Sequence, residues 1–317
     1  MAINKVQFQK GLSLSEFLTQ YGTEKQCEDA VVAMRWPQGY QCTRCACKRV
    51  SMTHHGRQLW ECLSCGYQCS AIAGTIMEST KLALTKWFLA MYLMTQSKNA
   101  IATLELKRQL GVCYKTAWML KHKLQEVMLQ REAPRQLGGR VEIDDAYLGG
   151  EKTGGKRGRG SENKVPFVAA VETTPDGKPL FVRFDPVKSF KKDDIQAWAK
   201  GALASSATVI SDGLPGFAAV SEVVASHESH VTGAGKKAAQ HPKFRWVNTA
   251  LGNLKTALSG TYHAFDFAKY AARYLAEFQY RFNRRFNMAS MIPRLLFAMI
   301  GTLPQPLRKL RLSEECR

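Results

Sequence analysis

The chain has 317 residues, 45% of them hydrophobic and 22% charged, a composition that excludes a disordered or collagen-like chain and leaves room for two or three domains. Lys and Arg total 45 against 26 Asp and Glu, and the resulting formal charge of +19 attracts polyanions, of which nucleic acid is the commonest. The most apolar stretches, 87–94 and 295–303, fall far short of the ~18 to 20 residues that cross a bilayer. The opening MAINKVQFQK lacks the apolar core of a secretory signal, so a cytoplasmic protein without membrane association is expected.

Residues 1–35 read as a helical segment. Of nine cysteines, six lie between Cys42 and Cys69, while Cys27, Cys113 and Cys316 are scattered. Disulfides are not expected in a reducing compartment. Cys42 and Cys45 form one C-x-x-C pair in QCTRC, and Cys62 and Cys65 form another in ECLSC, with sixteen residues between the pairs. That spacing matches a tetrathiolate zinc site in which each pair is a knuckle giving two thiolates to one tetrahedral Zn²⁺. Residues 36–75 are therefore expected to form a zinc ribbon. A segment of that size has too little core to fold alone, so the metal would supply its folding free energy. Cys47 and Cys69 stay open as replacements for a neighbouring ligand, and His54 and His55 read as turn residues.

From residue 82 to about 129 the pattern turns helical, with Trp87, Met91, Leu93 and Met94 close together and no Pro to interrupt it. Residues 102–110 read as a short helix, Gly111-Val112 as a turn, and 114–127 as a second helix with Trp118, Leu120 and Leu124 facing in. Helix, Gly-containing turn and basic helix is the helix-turn-helix pattern, assigned to 80–130. Lys115, Lys121, His122 and Lys123 would dress the second helix for DNA contact. An ordinary helical hairpin solvated by its lysines is the alternative.

After REAPRQLGGR the composition turns to strands: VEIDDAYLGG, KVPFVAAVET and, beyond the turn PDGK, LFVRFD. A helical stretch over 191–203 and a short apolar strand ending at Asp212 follow. Three strands in hairpin order, a helix and a further strand resemble the opening of a ribonuclease H-like fold. An α/β catalytic domain is expected over 138–303, followed by a tail, 304–317. Asp144 interrupts an apolar strand pattern in alternation with Glu142, where a carboxylate is costly without a partner such as a metal. Asp212 ends a strand before Gly213, a place that a plain turn Asp also takes. On this strand order the pair looks like the ligands that bridge two Mg²⁺, or Mn²⁺, for in-line attack on phosphorus. Asn248 stands in a helical segment, FRWVNTALGNLKTALSGTYHAF, as a neutral third ligand. Lys255, seven residues on, shares its side of the helix.

These residues carry a resemblance to a known family. Over nearly its whole length the chain is similar to DDE-type insertion-sequence transposases of the IS1595 type, which carry an N-terminal zinc ribbon and replace the last Glu of the triad with Asn. The matching elements are the two C-x-x-C pairs, GVCYKTAWML, EIDDAYLGG with its Gly/Lys/Arg loop, ISDG, WVNTALGNLK, GTYH and EFQYRFNRR. The resemblance implies that Asp144, Asp212 and Asn248 are the catalytic triad, with Lys255 as the associated lysine. It also implies that Arg281 and Arg284 hold DNA phosphates bidentately and that Glu277 supplies the carboxylate that Asn248 lacks. From spacing alone, Glu277 and Arg281 read as an exposed i,i+4 ion pair. Asp145, where the family often has Glu, is placed on the opposite strand face and not counted as a ligand.

The glycine-rich loop 149–164, with Lys156, Arg157 and Arg159, is expected either to order along a DNA backbone or to stay a solvated loop. His227, His230 and His241 are expected at the surface or on DNA rather than at a second metal. The implied activity is Mg²⁺-dependent strand cleavage at the ends of the element and transfer of the freed 3′ hydroxyl to target DNA. The ribbon and helix-turn-helix would bind the terminal inverted repeats, with at least a homodimer on DNA. The alternatives are a non-catalytic zinc-ribbon regulator and a ribonuclease H-like nuclease that cuts without joining.

Overall fold

The computed structural model describes residues 11–54, 58–149, 164–231, 241–262 and 265–312. The chain divides into two compact units, one of Met1–Ser97, Ile101–Val127 and Phe286–Arg311, the other of Lys98–Ala100, Met128–Arg285 and Leu312–Arg317.

The first unit opens with α1 (Leu14–Tyr21) and α2 (Glu24–Arg35). Each begins with a capping box, Ser13 with Glu16 and Thr23 with Gln26, in which side chain and backbone satisfy each other's first-turn groups. A small antiparallel sheet follows, β1 (Val50–His54), β2 (Gln58–Cys62) and β3 (Gln68–Cys69), in that order. Trp36 packs between Tyr40 and Trp60, with ring centroids 5.1 and 5.0 Å away, which gives the sheet an aromatic floor. Next comes α3 (Leu84–Thr95), apolar on most sides and correspondingly buried through Trp87, Phe88, Met91 and Met94. Its first turn is capped from α2, where the Glu24 carboxylate accepts the Leu84 and Thr85 N–H groups at 2.7 and 3.0 Å. Then α4 (Thr103–Leu110) ends at Gly111, whose φ of 63° lies in the left-handed region that glycine enters without strain. The chain turns there into α5 (Tyr114–Glu132).

Two later helices, α9 (Met291–Gly301) and α10 (Leu307–Arg311), belong to this first unit. Ile292, Leu295, Leu296 and Met299 bury a face of α9, which packs on α2 and α3. Residues 286–303, expected to continue the 138–303 domain, thus group with the first unit, because the apolar face of α9 is satisfied by N-terminal helices.

The second unit is built on a mixed five-stranded sheet. β4 (Arg140–Leu148), β5 (Val165–Thr173) and β6 (Pro179–Pro186) form an antiparallel meander, and β7 (Thr208–Asp212) then pairs parallel to β4. β8 (Ser226–His230) pairs parallel to β7, giving the order β6-β5-β4-β7-β8. The helix between β6 and β7 is α6 (Lys192–Ala202), and after β8 come α7 (Arg245–Ser259) and α8 (Phe267–Phe282). Alternation along β4 sorts its side chains. Val141 and Ile143 pack with Ile195, Ala199 and Ala202 of α6. Ala146 and Leu148 pack on the other face with Leu251 and Leu254 of α7 and Leu275 of α8. The result is an α/β unit with helices on both faces of its sheet.

Candidate functional site

The site forms where β4 and β7 run side by side and α7 covers one face. The parallel register sets Ile143 opposite Ser211, so the next residues, Asp144 and Asp212, leave the ladder together. Asp144, Asp145 and Asp212 each bring a carboxylate oxygen within 4.8 Å of the others. Asp145 therefore joins the cluster, against the expectation that strand alternation would send it away. The ladder to β7 ends one residue before Asp144, while the pairing of β4 with β5 continues through Asp145 to Leu148.

A cleft of about 1060 Å³ opens beside these groups, lined by Asp144, Asp145, Arg245, Asn248 and Lys255, among others. The two α7 residues face the site because 248 and 255 lie two turns apart. Asp144 is pushed up to about 7, by burial first and then by the charges of Asp145 and Asp212, while Lys255 and the Asp145 N–H oppose the shift. That N–H donates to Asp144 Oδ1 at 2.9 Å, and Asp212 Oδ1 accepts the Leu214 N–H at 3.2 Å. Three crowded carboxylates form a hard, oxygen-rich donor set suited to a divalent cation of the Mg²⁺ or Mn²⁺ kind, whose charge would relieve the repulsion that raises Asp144.

Glu142 had no role on sequence grounds beyond its alternation with Asp144. It is 1% exposed. Its Oε2 accepts the N–H groups of Trp246 and Val247 at 2.8 and 3.0 Å, and its Oε1 pairs with Arg140 at 2.7 Å. A carboxylate in an apolar strand pattern was the one signal that could have drawn attention to it.

The motif EFQYRFNRR does different work from the phosphate contact expected of it. Glu277, 1% exposed, accepts Arg281 Nη1 at 3.2 Å and the Tyr262 hydroxyl at 3.4 Å, so this pair is buried rather than exposed. Arg284 donates to Glu132 and lies over the Tyr280 ring at 3.7 Å. Asn283 accepts the Val182 N–H at 2.7 Å and donates to the Val182 carbonyl at 3.0 Å; Gln279 accepts the Phe184 N–H at 3.0 Å. Arg285 donates to the Leu180 carbonyl at 3.0 Å and also to that of Pro179. Asn283, Gln279 and Arg285 together seal the edge of β6. Even spacing on one helix face suggested a cationic stripe, but that face turns inward, where arginines persist only with carboxylate or carbonyl partners. Arg281 and Arg284 are thereby withdrawn as phosphate contacts. Glu277, expected to supply a carboxylate to the metal, pairs with Arg281 and Tyr262, and the carboxylates that cluster among the described residues are Asp144, Asp145 and Asp212.

The helix expected to contact DNA, α5, differs from expectation in a similar way. Lys121 is fully buried and donates to the Ile101 carbonyl at 2.8 Å; Lys123, 8% exposed, donates to that of Ile76 at 2.9 Å. Both ammonium groups serve carbonyls of the first unit and face no groove. Lys115, in the first turn of α5, is exposed, as are Lys107 and Arg108 on α4. Lys156, Arg157 and Arg159 lie outside the described residues, as does His55. His227 Nε2 meets the Ser211 hydroxyl at 2.8 Å, and His230 sits with Glu228 and Lys243 at 3.2 and 2.8 Å.

The ribbon carries the other cluster. Cys42 and Cys65 sulfurs are 3.6 Å apart, and Cys45 stands 3.5 Å from both Cys62 and Cys65. A tetrahedron with metal–sulfur distances of ~2.3 Å has sulfurs ~3.8 Å apart, so the four fit Zn²⁺. The knuckles match: the Ala46 N–H returns to the Cys42 carbonyl and the Gly66 N–H to that of Cys62, both at 2.9 Å. The backbone N–H of Cys65 holds the Cys62 thiol down to about 6, which favours the thiolate. Among the described residues the sulfur cluster contains Cys42, Cys45, Cys62 and Cys65, while Cys47 accepts the Arg49 N–H at 3.4 Å and Cys69 donates to the Tyr40 hydroxyl at 3.7 Å.

Comparison with known proteins agrees with this division. Residues 22–68 match the model of a transposase zinc-ribbon domain, and residues 136–283 match that of an ISXO2-like transposase domain. A protein of Halobacterium salinarum described as an uncharacterized protein in transposable element ISH50 is 27% identical over 210 residues, covering 62% of this chain and 69% of that protein. Among the described residues no helix is long and apolar enough to cross a membrane. With four clustered cysteines in the ribbon, three clustered aspartates beside the cleft and both domain models matched in that order, the chain carries a transposase zinc-ribbon domain followed by an ISXO2-like transposase domain and is similar to insertion-sequence transposases.

Proposed function

We propose that this chain binds the terminal inverted repeats of an insertion sequence, cuts DNA strands at its ends and joins the freed 3′ hydroxyl to target DNA, on a unit of ribonuclease H-like fold. The observation that carries this reading is the convergence of Asp144, Asp145 and Asp212, with Asn248 and Lys255 lining the adjoining cleft. Bound there, Mg²⁺ or Mn²⁺ would neutralise charge on phosphorus-bound oxygens and lower the pKa of a water.

The three aspartates would supply the anionic ligands and Asn248 a neutral carbonyl oxygen. Lys255, Arg245 and Lys164 line the cleft, where their cationic groups would hold the DNA phosphates that flank the reacting one. A hydroxyl attacks phosphorus directly in such a transfer, so no enzyme nucleophile is required. The four ribbon cysteines would hold one structural Zn²⁺. The ribbon, with Lys115 at the exposed start of α5, would engage the repeats, and Lys156, Arg157 and Arg159 would follow the phosphate backbone. Joining two ends calls for at least a homodimer on DNA.

Strand transfer on duplexes that carry the element's ends tests the reading. Asp144→Asn and Asp212→Asn should each abolish cleavage and joining while leaving end binding in place, and Lys255→Ala should weaken joining in a folded protein. Full activity of either aspartate variant would sink the site assignment. Cleaved but never joined product would favour the nuclease alternative.

A further inference from the structure

The ligand set lies on β4 with Asp144 and Asp145, on β7 with Asp212 and on α7 with Asn248, and of these elements β4 and α7 pack face to face. What fastens them together is Glu142, two residues before Asp144 on the same face of β4. Its Oε2 accepts the Trp246 and Val247 N–H groups at 2.8 and 3.0 Å. Those groups belong to the first turn of α7, which has no partners within its own helix and lies at the positive end of its dipole. Asn248 is the very next residue. Arg140 completes the clamp: its Nη1 pairs with Glu142 Oε1 at 2.7 Å and its Nη2 donates to the Lys243 carbonyl, just ahead of α7, at 3.3 Å.

We propose that Glu142 is a positioning residue that sets the N-terminus of α7 against β4, so that Asn248 and Asp144 offer their oxygens to one divalent cation. This rests on the metal-site reading above. Glu142 is not itself a ligand, since both its oxygens are engaged and it lies outside the cluster of Asp144, Asp145 and Asp212. A partner that orients a ligand from behind typically changes metal affinity ~10- to 100-fold when it is altered.

The test is Mn²⁺ binding to the full zinc-loaded chain, by calorimetry and by the electron paramagnetic resonance of the bound ion. Glu142→Asp keeps the charge but shortens the reach by one methylene, so it must either draw α7 inward or release its N–H groups. We expect the Kd for Mn²⁺ to rise about tenfold in Glu142→Asp, with a melting temperature near that of the parent. Glu142→Gln keeps the length and an acceptor oxygen and should stay closer to the parent. Because the effect runs through Asn248, Glu142→Asp should cost nothing further in an Asn248→Ala background. Should Glu142→Asp fold poorly, Arg140→Gln removes the outer half of the clamp, with a smaller loss that also vanishes in that background.

Parent-like Mn²⁺ affinity in Glu142→Asp, or a loss that persists without Asn248, would overturn the positioning role. If Asp144→Asn itself binds Mn²⁺ like the parent, the metal-site reading fails first, so the two failures are distinguishable.

Discussion

Arg284→Ala separates two opposite uses of the same arginine. If Arg284 grips DNA, its loss weakens end binding and flattens the salt dependence by about one unit of slope, with stability unchanged. The structure places it 6% exposed, donating to a Glu132 that is 2% exposed and lying over Tyr280. Breaking a buried pair by removing one partner costs ~3–5 kcal/mol, because the other charge is left uncompensated. Glu132 keeps Asn283 at 2.7 Å and Arg135 at 3.5 Å, which points to the lower end, about 3 kcal/mol. Guanidinium unfolding of the second unit should show that loss, while binding to end-containing DNA, titrated between low and moderate salt on the folded fraction, should keep the parent's slope. A stable variant with a shallower slope would refute the buried-pair account of Arg284.

Other consequences follow from the two clusters. Cys62→Ser should lower zinc content per chain and unfold the ribbon, since the metal supplies its folding free energy; atomic absorption with limited proteolysis checks this, and a full zinc complement in a folded ribbon would count against the ligand set. Asp144 stands at about 7 instead of 3.8, so between those values the folded metal-free chain binds more protons than the unfolded one. Its contribution to stability therefore falls as pH rises from about 4 to about 7, a trend that Asp144→Asn should erase in thermal melts. For the same reason divalent-ion binding must displace a proton below about 7. Mn²⁺ affinity should climb with pH up to that point and then level off, and a flat profile would contradict the crowding of the three aspartates.

Short-range spacing determined a good deal here. Two residues between the cysteines of each pair already shape a knuckle, so the ligands Cys42, Cys45, Cys62 and Cys65 were legible before any fold was known. A helix, a left-handed Gly111 and a second helix were likewise legible, because backbone conformation at that turn is a local matter. So were the first four strands of the second unit in chain order, though not β8, and the placing of Asp144 and Asp212 at strand positions that a parallel register sets side by side.

What the sequence could not supply was which face turns inward. Lys121, Lys123, Arg281 and Arg284 are spaced as solvent-facing charges would be, yet each is less than a tenth exposed, and their partners lie up to 152 residues away along the chain. Asp145 lies in the cluster although β4 stays paired with β5 there, and Glu142 became a clamp because α7 starts directly above it. Burial and pairing of charge are decided by packing between distant segments, and the periodicity of one segment carries no record of what will be laid against it.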